Sequence, residues 1–319
     1  MAKARDLSDH SDRIESHASW SPSMTPGVTP SRPNAIPHPE RPPTGHMESK
    51  ISSRRRPMRP KQLARSWFGR SLAVSRLHRL ALRRTGVVVA FHRVSDTIPE
   101  DDLTRSSRDF DRFCRFFSNN FDVVTLAEFI ARLEAGKSIG ETLAITFDDG
   151  YLDNYEVAAP ILHRGGLPAT FFIATRFIGS ATVPWWDVSL PRQPGWMSWN
   201  QVRELASAGF DIGGHTRTHV DLGAVDGEIA AEEIIGCRLD IRDSIGREPA
   251  HFAYPYGQMG NLLEVNRQRV RAAGYRCCVS CFGGSASSTT DPFRLQRVPI
   301  SPWYRTPEEF LLQVALGRA

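Results

Sequence analysis

Two short stretches of the chain combine residue types that hold a cation with residue types that move a proton. Phe147-Asp148-Asp149-Gly150 supplies two adjacent carboxylates, and His215-Thr216-Arg217-Thr218-His219 supplies two imidazoles four positions apart. Two imidazoles and one carboxylate form a ligand set that leaves coordination positions open for water and a substrate oxygen, while the second carboxylate stays free to accept a proton. The chemistry implied is hydrolysis assisted by a divalent cation, Zn2+ ahead of Co2+ or Ni2+. Fe(II) oxygenases use the same donors but commonly carry a carboxylate two residues after the first histidine, where Arg217 stands here.

The surrounding pattern says how these groups are positioned. Leu143-Ala144-Ile145-Thr146-Phe147 is short, apolar and β-branched and stops at Asp-Asp-Gly, so it reads as a buried strand with the acids at its C-terminal edge. Gly209 to Gly214 reads as a second strand leading into the histidine pair, whose spacing fits one turn of helix aiming both rings at one point. Further strands are expected at Val87 to Val94, Ala169 to Ala174 and Tyr275 to Ser280. Helices are expected at Phe110 to Asn119, Leu126 to Ala135, Ala158 to Gly165, Trp199 to Ala208 with Ser198 as cap, and Asp226 to Ile245. Strands alternating with helices predict an α/β fold with a parallel sheet wrapped by helices.

These motifs resemble those of the polysaccharide deacetylases, the NodB-homology or carbohydrate esterase family 4 domain. Thr146-Phe147-Asp148-Asp149-Gly150 is similar to the family's first motif, His215 to His219 to its second, and Phe252-Ala253-Tyr254-Pro255-Tyr256-Gly257 to its third, over about residues 86 to 300. The resemblance implies a distorted, incomplete (β/α)7 barrel in which Asp149, His215 and His219 bind the metal. It further implies that Asp148 is the general base and that the backbone N–H of Tyr256 helps hold the oxyanion. The implied activity is hydrolysis of N-acetyl groups from an oligo- or polysaccharide of N-acetylglucosamine, releasing acetate. Alternatives are a same-fold hydrolase of a small amide, imide or acetyl ester, or an inactive protein that binds carbohydrate or a membrane.

Two departures stand out. Many members tether the base with an arginine in the third motif, where this chain has Ala253, and members use a late histidine as acid, whereas the last histidine here is His251, read as a loop residue ahead of the third motif. Val87 to Val94 contains His92 and is similar to the early segment of the circularly shifted poly-N-acetylglucosamine deacetylases, in which the acid comes from the N-terminal side. His92 is therefore the expected acid, with a strand-capping role as its alternative. Arg297, in Asp291-Pro292-Phe293-Arg294-Leu295-Gln296-Arg297, is a candidate tether for Asp148, with a surface ion pair as the alternative. Trp185 and Trp186 lie in a loop between the metal motifs, either as a wall for sugar rings or as a plug on the barrel edge.

Composition divides the 319 residues. Residues 1–60 hold ten of the 22 prolines and few strong apolar residues, so they read as a disordered extension. Residues 51–85 carry eleven Lys or Arg and no acid, while residues 86–319 carry 23 basic and 29 acidic residues, so the net +5 averages a basic segment with an acidic domain. Leu63, Trp67, Leu72, Leu77 and Leu80 recur at roughly helical spacing, which predicts a basic amphipathic helix over residues 61–85. It either packs on the catalytic domain of residues 86–319 or lies on an anionic membrane. No nucleic-acid partner is expected.

No run of 18 apolar residues and no secretion signal is evident, so the expectation is a cytoplasmic protein, peripheral to the inner membrane where attached. Cys278 and Cys281 form a C-x-x-C without a second ligand pair, so they read as small buried thiols. The odd count of five cysteines argues against a disulfide framework.

Overall fold

The computed structural model describes residues 58, 60–300 and 304–318. Helices α1 (Pro60–Ser75) and α2 (Leu77–Leu82) lead into strand β1 (Thr85–Phe91), followed by the short strands β2 (Arg93–Val94) and β3 (Thr104–Arg105). Then come α3 (Ser107–Asn120), β4 (Asp122–Val123), α4 (Leu126–Glu134), β5 (Thr142–Phe147), a π-helical turn at Asn154–Ala158, α5 (Ala159–Arg164) and β6 (Thr170–Ile173). The remainder runs α6 (Trp199–Ser207), β7 (Asp211–Gly214), α7 (Gly227–Ile245), β8 (His251–Ala253), α8 (Glu264–Ala272), β9 (Cys277–Gly283), β10 (Ala286–Ser287), β11 (Leu295–Pro299) and α9 (Pro307–Ala315).

Seven of these strands close on one another in parallel, in the order β1, β11, β9, β8, β7, β6, β5 and back to β1. The result is the α/β barrel of the NodB-homology type. It closes through few residues, since β7 and β8 meet only at Gly214 and Phe252. Covered by helices outside and by side chains inside, β1 and β5 are buried almost without interruption, and for that reason their sequences are continuous apolar runs rather than alternating ones.

The two faces of the barrel wall have different tenants. Phe91, Phe147 and Phe171 stack side by side on the outer face, with ring centroids 5.5 and 4.9 Å apart, and Phe110 of α3 packs edge-on against the first two. Val88, Ala144, Phe172, Ala253, Val279 and Leu295 gather in a separate cluster with Phe129 of α4. Caps fix the helices that the sequence marks: Ser198 and Gln201 form a capping box on α6, and the Asp226 side chain accepts from Glu228 and Ile229 at the start of α7.

The expected extension over residues 1–60 lies almost entirely outside the described residues. The segment expected as one helix over residues 61–85 is two, broken at Arg76, whose φ of 56° is left-handed. Its expected apolar stripe also divides. Gly69 and Leu72 face the domain, with Gly69 so close to Glu308 of α9 that a side chain would not fit, whereas Leu63, Trp67, Leu77 and Leu80 are 55–65% exposed. Among the described residues no helix is long and apolar enough to cross a membrane.

Candidate active site

The site lies at the C-terminal ends of the barrel strands, where short side chains from successive strands converge. Asp148 and Asp149 follow β5, His215 and His219 follow β7, His92 follows β1, and Arg297 comes from within β11. Asp148, Asp149, His215, His219 and Arg297 are each at most 5% exposed.

Asp149 Oδ1 stands 3.3 Å from His215 Nε2 and 3.2 Å from His219 Nε2, yet it receives no hydrogen bond. The His215 ring explains this: Nδ1 is 2.8 Å from the carbonyl of Ala253 and donates to it, so Nε2 turns a lone pair toward Asp149. The lone pairs of Asp149 Oδ1 and His215 Nε2 repel at such spacing unless a cation lies between them, and His219 Nε2 is turned onto the same point. Tetrahedral Zn2+ separates its nitrogen and oxygen ligands by about 3.3 Å, given bond lengths near 2.0–2.1 Å. The residues present therefore fit a zinc-like ion. Burial works to lower the His215 pKa, but close contact with Asp149 and the charge of Asp148 raise it, so the pocket favours a positive charge between these groups, carried by a proton or by a cation.

The loop between the histidines is not the helical turn their spacing suggests. Residues 215–220 are irregular, with Thr216 at φ 61° and His219 at φ 60°, so the rings meet because the backbone reverses rather than because it winds. Asp149 (φ 77°) and Tyr256 (φ 62°) are also left-handed, which places four of the six such non-glycine residues among those described at this one site. Each costs about 1–2 kcal/mol and persists only where neighbours enforce it. Glu233 of α7 is one enforcer, since its carboxylate accepts from the backbone N–H groups of Arg217 (2.7 Å) and Thr218 (2.9 Å) and from the Thr218 hydroxyl.

Asp148 has a different environment. Arg297 donates Nη1 to Asp148 Oδ1 at 2.7 Å and Nη2 to Oδ2 at 2.6 Å. Burial opposes ionisation of Asp148, but the guanidinium overrides it and holds the carboxyl below its usual range. Arg297 is itself raised despite burial, so both members of the pair are charged. Its neighbour in sequence behaves as the surface alternative would: Arg294 is exposed and pairs with Glu264.

His92 Nε2 lies 3.9 Å from Asp148 Oδ2. Burial lowers the His92 pKa, partly offset by the two aspartates. Its backbone carbonyl accepts from Asn154 Nδ2 at 2.7 Å, and Asn154 opens the π-helical turn, a distortion that recurs at functional sites. His251 is not a loop residue as expected. It begins β8 at the other end of the barrel, buried, with Nδ1 2.6 Å from Asp211.

Trp186, Tyr256 and His219 form one aromatic group, with Trp186 and Tyr256 ring centroids 4.6 and 5.0 Å from that of His219, and Trp185 meets Trp186 edge-on at 5.6 Å. What holds the tryptophan loop is a polar network that sequence reading missed. Trp186 Nε1 donates to the Tyr151 hydroxyl (2.9 Å), which donates to Asp187 (2.9 Å), and Asp187 is paired with the fully buried Arg93. Arg93 also meets Asp101 (2.7 Å) and Thr104 (2.8 Å). Each partner lies beside a quoted residue: Arg93 follows His92, Tyr151 follows Gly150, and Asp187 follows Trp186. For Arg93 and Asp187 a charged residue beside a motif was a faint signal, and for Tyr151 there was none.

Comparison with known proteins places the chain among similar sequences and folds. The polysaccharide deacetylase family model matches residues 135–278. A Bacillus subtilis protein with the name "Putative polysaccharide deacetylase YxkH" is 26% identical over 220 residues, covering 67% of this chain and 71% of its own length. The poly-beta-1,6-N-acetyl-D-glucosamine N-deacetylase of Staphylococcus epidermidis is 25% identical over 193 residues, 56% of this chain and 61% of that one. Among solved structures, the Streptococcus pyogenes deacetylase PplD superposes with a TM-score of 0.62 at 20% identity, over 72% of this chain and 97% of that chain. Residues 135–278 thus match the polysaccharide deacetylase family model, and the fold around them is that of solved deacetylases. Deacetylases of that family are hydrolases that act on carbon–nitrogen bonds of polysaccharides.

Proposed function

We propose that this protein removes N-acetyl groups from an oligo- or polysaccharide containing N-acetylglucosamine, using a divalent cation of the zinc type. The observation that carries this reading is that one pocket holds a clamped carboxylate, an imidazole 3.9 Å from it and a separate convergent ligand set. A cation held by Asp149, His215 and His219 would polarise the acetyl carbonyl and make an attacking water more acidic. Asp148, kept ionised by Arg297, accepts the proton of that water as its oxygen bonds to the carbonyl carbon. His92 gives a proton to the sugar nitrogen as the C–N bond breaks, and acetate and a free amino sugar leave. The backbone N–H of Tyr256 is the donor we assign to the developing oxyanion, an interaction typically worth about 3–4 kcal/mol. Trp185 and Trp186 offer ring faces for stacking on sugars.

The name of the Staphylococcus epidermidis relative supports a β-linked N-acetylglucosamine glycan, and chitooligosaccharides share the same acetamido group. Acetate release by protein reconstituted with Zn2+, Co2+ or Ni2+ should be measured on poly-N-acetylglucosamine, chitooligosaccharides, acetylxylan and small imides. Turnover confined to the N-acetylated glycans is the expected result; preference for an imide or an acetyl ester would overturn the substrate assignment.

The surface of α1 and α2 adds a partner. Leu63, Trp67, Phe68, Val74, Leu77 and Leu80 are 55–79% exposed among exposed Lys61, Arg65, Arg70, Arg76, Arg83 and Arg84. Apolar side chains fringed by cations complement an anionic lipid surface, so we assign this face to peripheral attachment at the inner membrane, on the cytoplasmic side. Co-sedimentation with vesicles rich in phosphatidylglycerol, lost on Trp67→Glu with Phe68→Glu and on raising salt, is expected. Equal binding to neutral vesicles would remove the electrostatic part, and no binding to either would remove the assignment.

A further inference from the structure

Cys281 belongs neither to the expected ligand set nor to a pair with Cys278. Cys278 Sγ lies 3.0 Å from the carbonyl of Phe293, on the other side of β9, whereas Cys281 faces the catalytic pocket. One donor atom from each of Cys281, His92 and Asp148 falls within 4.8 Å of the others. The His92 to Asp148 separation, 3.9 Å, exceeds the roughly 3.3 Å between nitrogen and oxygen ligands of tetrahedral Zn2+ by an amount that a small rotation of the His92 ring closes. The sulfur is also fixed in place. Gly257, at φ 59°, packs so tightly on Cys281 that a Cβ there would stand 2.1 Å from the Cys281 nitrogen, and that nitrogen donates to the Gly257 carbonyl at 3.2 Å.

We propose that Cys281, His92 and Asp148 form a second divalent-cation site, selective for soft ions such as Zn2+, whose occupation shuts the enzyme off. Thiolate, imidazole and carboxylate together are a zinc-preferring set, which Mg2+ and Ca2+ do not favour. Each Asp148 oxygen that accepts from Arg297 keeps a further lone pair, so the clamp does not exhaust the carboxylate. Burial pushes the Cys281 thiol up to about 12, so the sulfur binds by releasing its proton to solvent as the metal–sulfur bond forms. A cation there occupies the lone pairs of both the base and the acid. Activity therefore rises with the first equivalent of metal and falls with the second.

Co2+ reports the sulfur directly, because thiolate ligation gives an intense charge-transfer absorption in the near ultraviolet that imidazole and carboxylate do not. In the full chain the first equivalent should bind without this band, and the second should bring it in as turnover disappears. Cys281→Ser and Cys281→Ala should both lose the band and shift the inhibitory phase at least about tenfold to higher metal concentration. A wild-type protein that shows no such band at any excess, or a band that survives in either variant, would overturn the proposal. Should both variants misfold, mass-mapped alkylation of wild-type Cys281 decides it: the second equivalent must slow modification at that residue, and unchanged labelling refutes the site. Inhibition rests on the acid and base roles given above, whereas the spectrum does not, so the two readings fail separately.

Discussion

Asp148 and Arg297, 149 positions apart in the chain, share a two-fold hydrogen-bonded ion pair in which both carboxylate oxygens and both terminal guanidinium nitrogens are engaged. The third motif, with Ala253, offers Asp148 no arginine, and the guanidinium reaches it from β11 instead. Because Asp148 is depressed in the folded state, its contribution to stability is present above the unfolded carboxylate pKa and is lost as pH falls through the folded value. Arg297→Met removes the guanidinium and leaves burial opposed only by His215 and His92. The acidic limb of kcat/KM should then move to higher pH, and stability at neutral pH should fall by about 3–5 kcal/mol, the usual penalty for an orphaned buried charge. Urea unfolding and a pH–rate profile check both; an unmoved limb would mean that Arg297 does not set the base.

His92→Ala should retain a full complement of metal while turnover on an N-acetylated sugar drops by about 10²–10⁴. The loss should shrink sharply for an activated phenyl acetate, whose leaving group needs no proton. Equal loss on both substrates would show that His92 positions something rather than donating a proton.

Glu233→Gln leaves all three candidate ligands in place but weakens the hold on the strained loop between them. Metal affinity should fall by about 10–100-fold with little change in the fold, as other second-sphere losses do. Chelator competition followed by elemental analysis reads this out, and unchanged affinity would show that the loop holds itself.

Trp185→Ala with Trp186→Ala should raise KM for oligosaccharides more than for a small acetyl ester. A parallel rise for both would favour the view that the tryptophans plug the barrel edge.

Asp187→Ala deprives buried Arg93 of one of its two counter-charges and frees the Tyr151 hydroxyl. The expected cost is about 3 kcal/mol in chemical denaturation, accompanied by loosening of Trp186 that its fluorescence would report. Retention of full stability would mean that Asp101 alone neutralises Arg93.

The barrel was legible because its strands are buried on both faces, and such strands write themselves as unbroken apolar runs ended by breakers, as Leu143 to Gly150 does. The histidine pair was found from its spacing, yet that spacing suggested a helix. The actual geometry needs left-handed backbone at Thr216 and His219, and no propensity signals a conformation imposed by a distant glutamate. Which side of α1 packs on the domain was not legible for a related reason. Apolar residues at helical intervals mark a stripe, but the face that α9 covers is chosen by Gly69, which alone permits close approach. Arg93, Tyr151 and Asp187 escaped notice because each is unremarkable alone and meaningful only once three loops meet.

The order in which these strands occur along the chain carries a consequence for synthesis. His92 is made early, the aspartates and histidines follow, and the guanidinium that disciplines Asp148 arrives only with β11, which must slot between β1 and β9 to seal the wall. A polypeptide still emerging from the ribosome therefore holds Asp148 without its partner. The ion pair waits for the last strand to be seated.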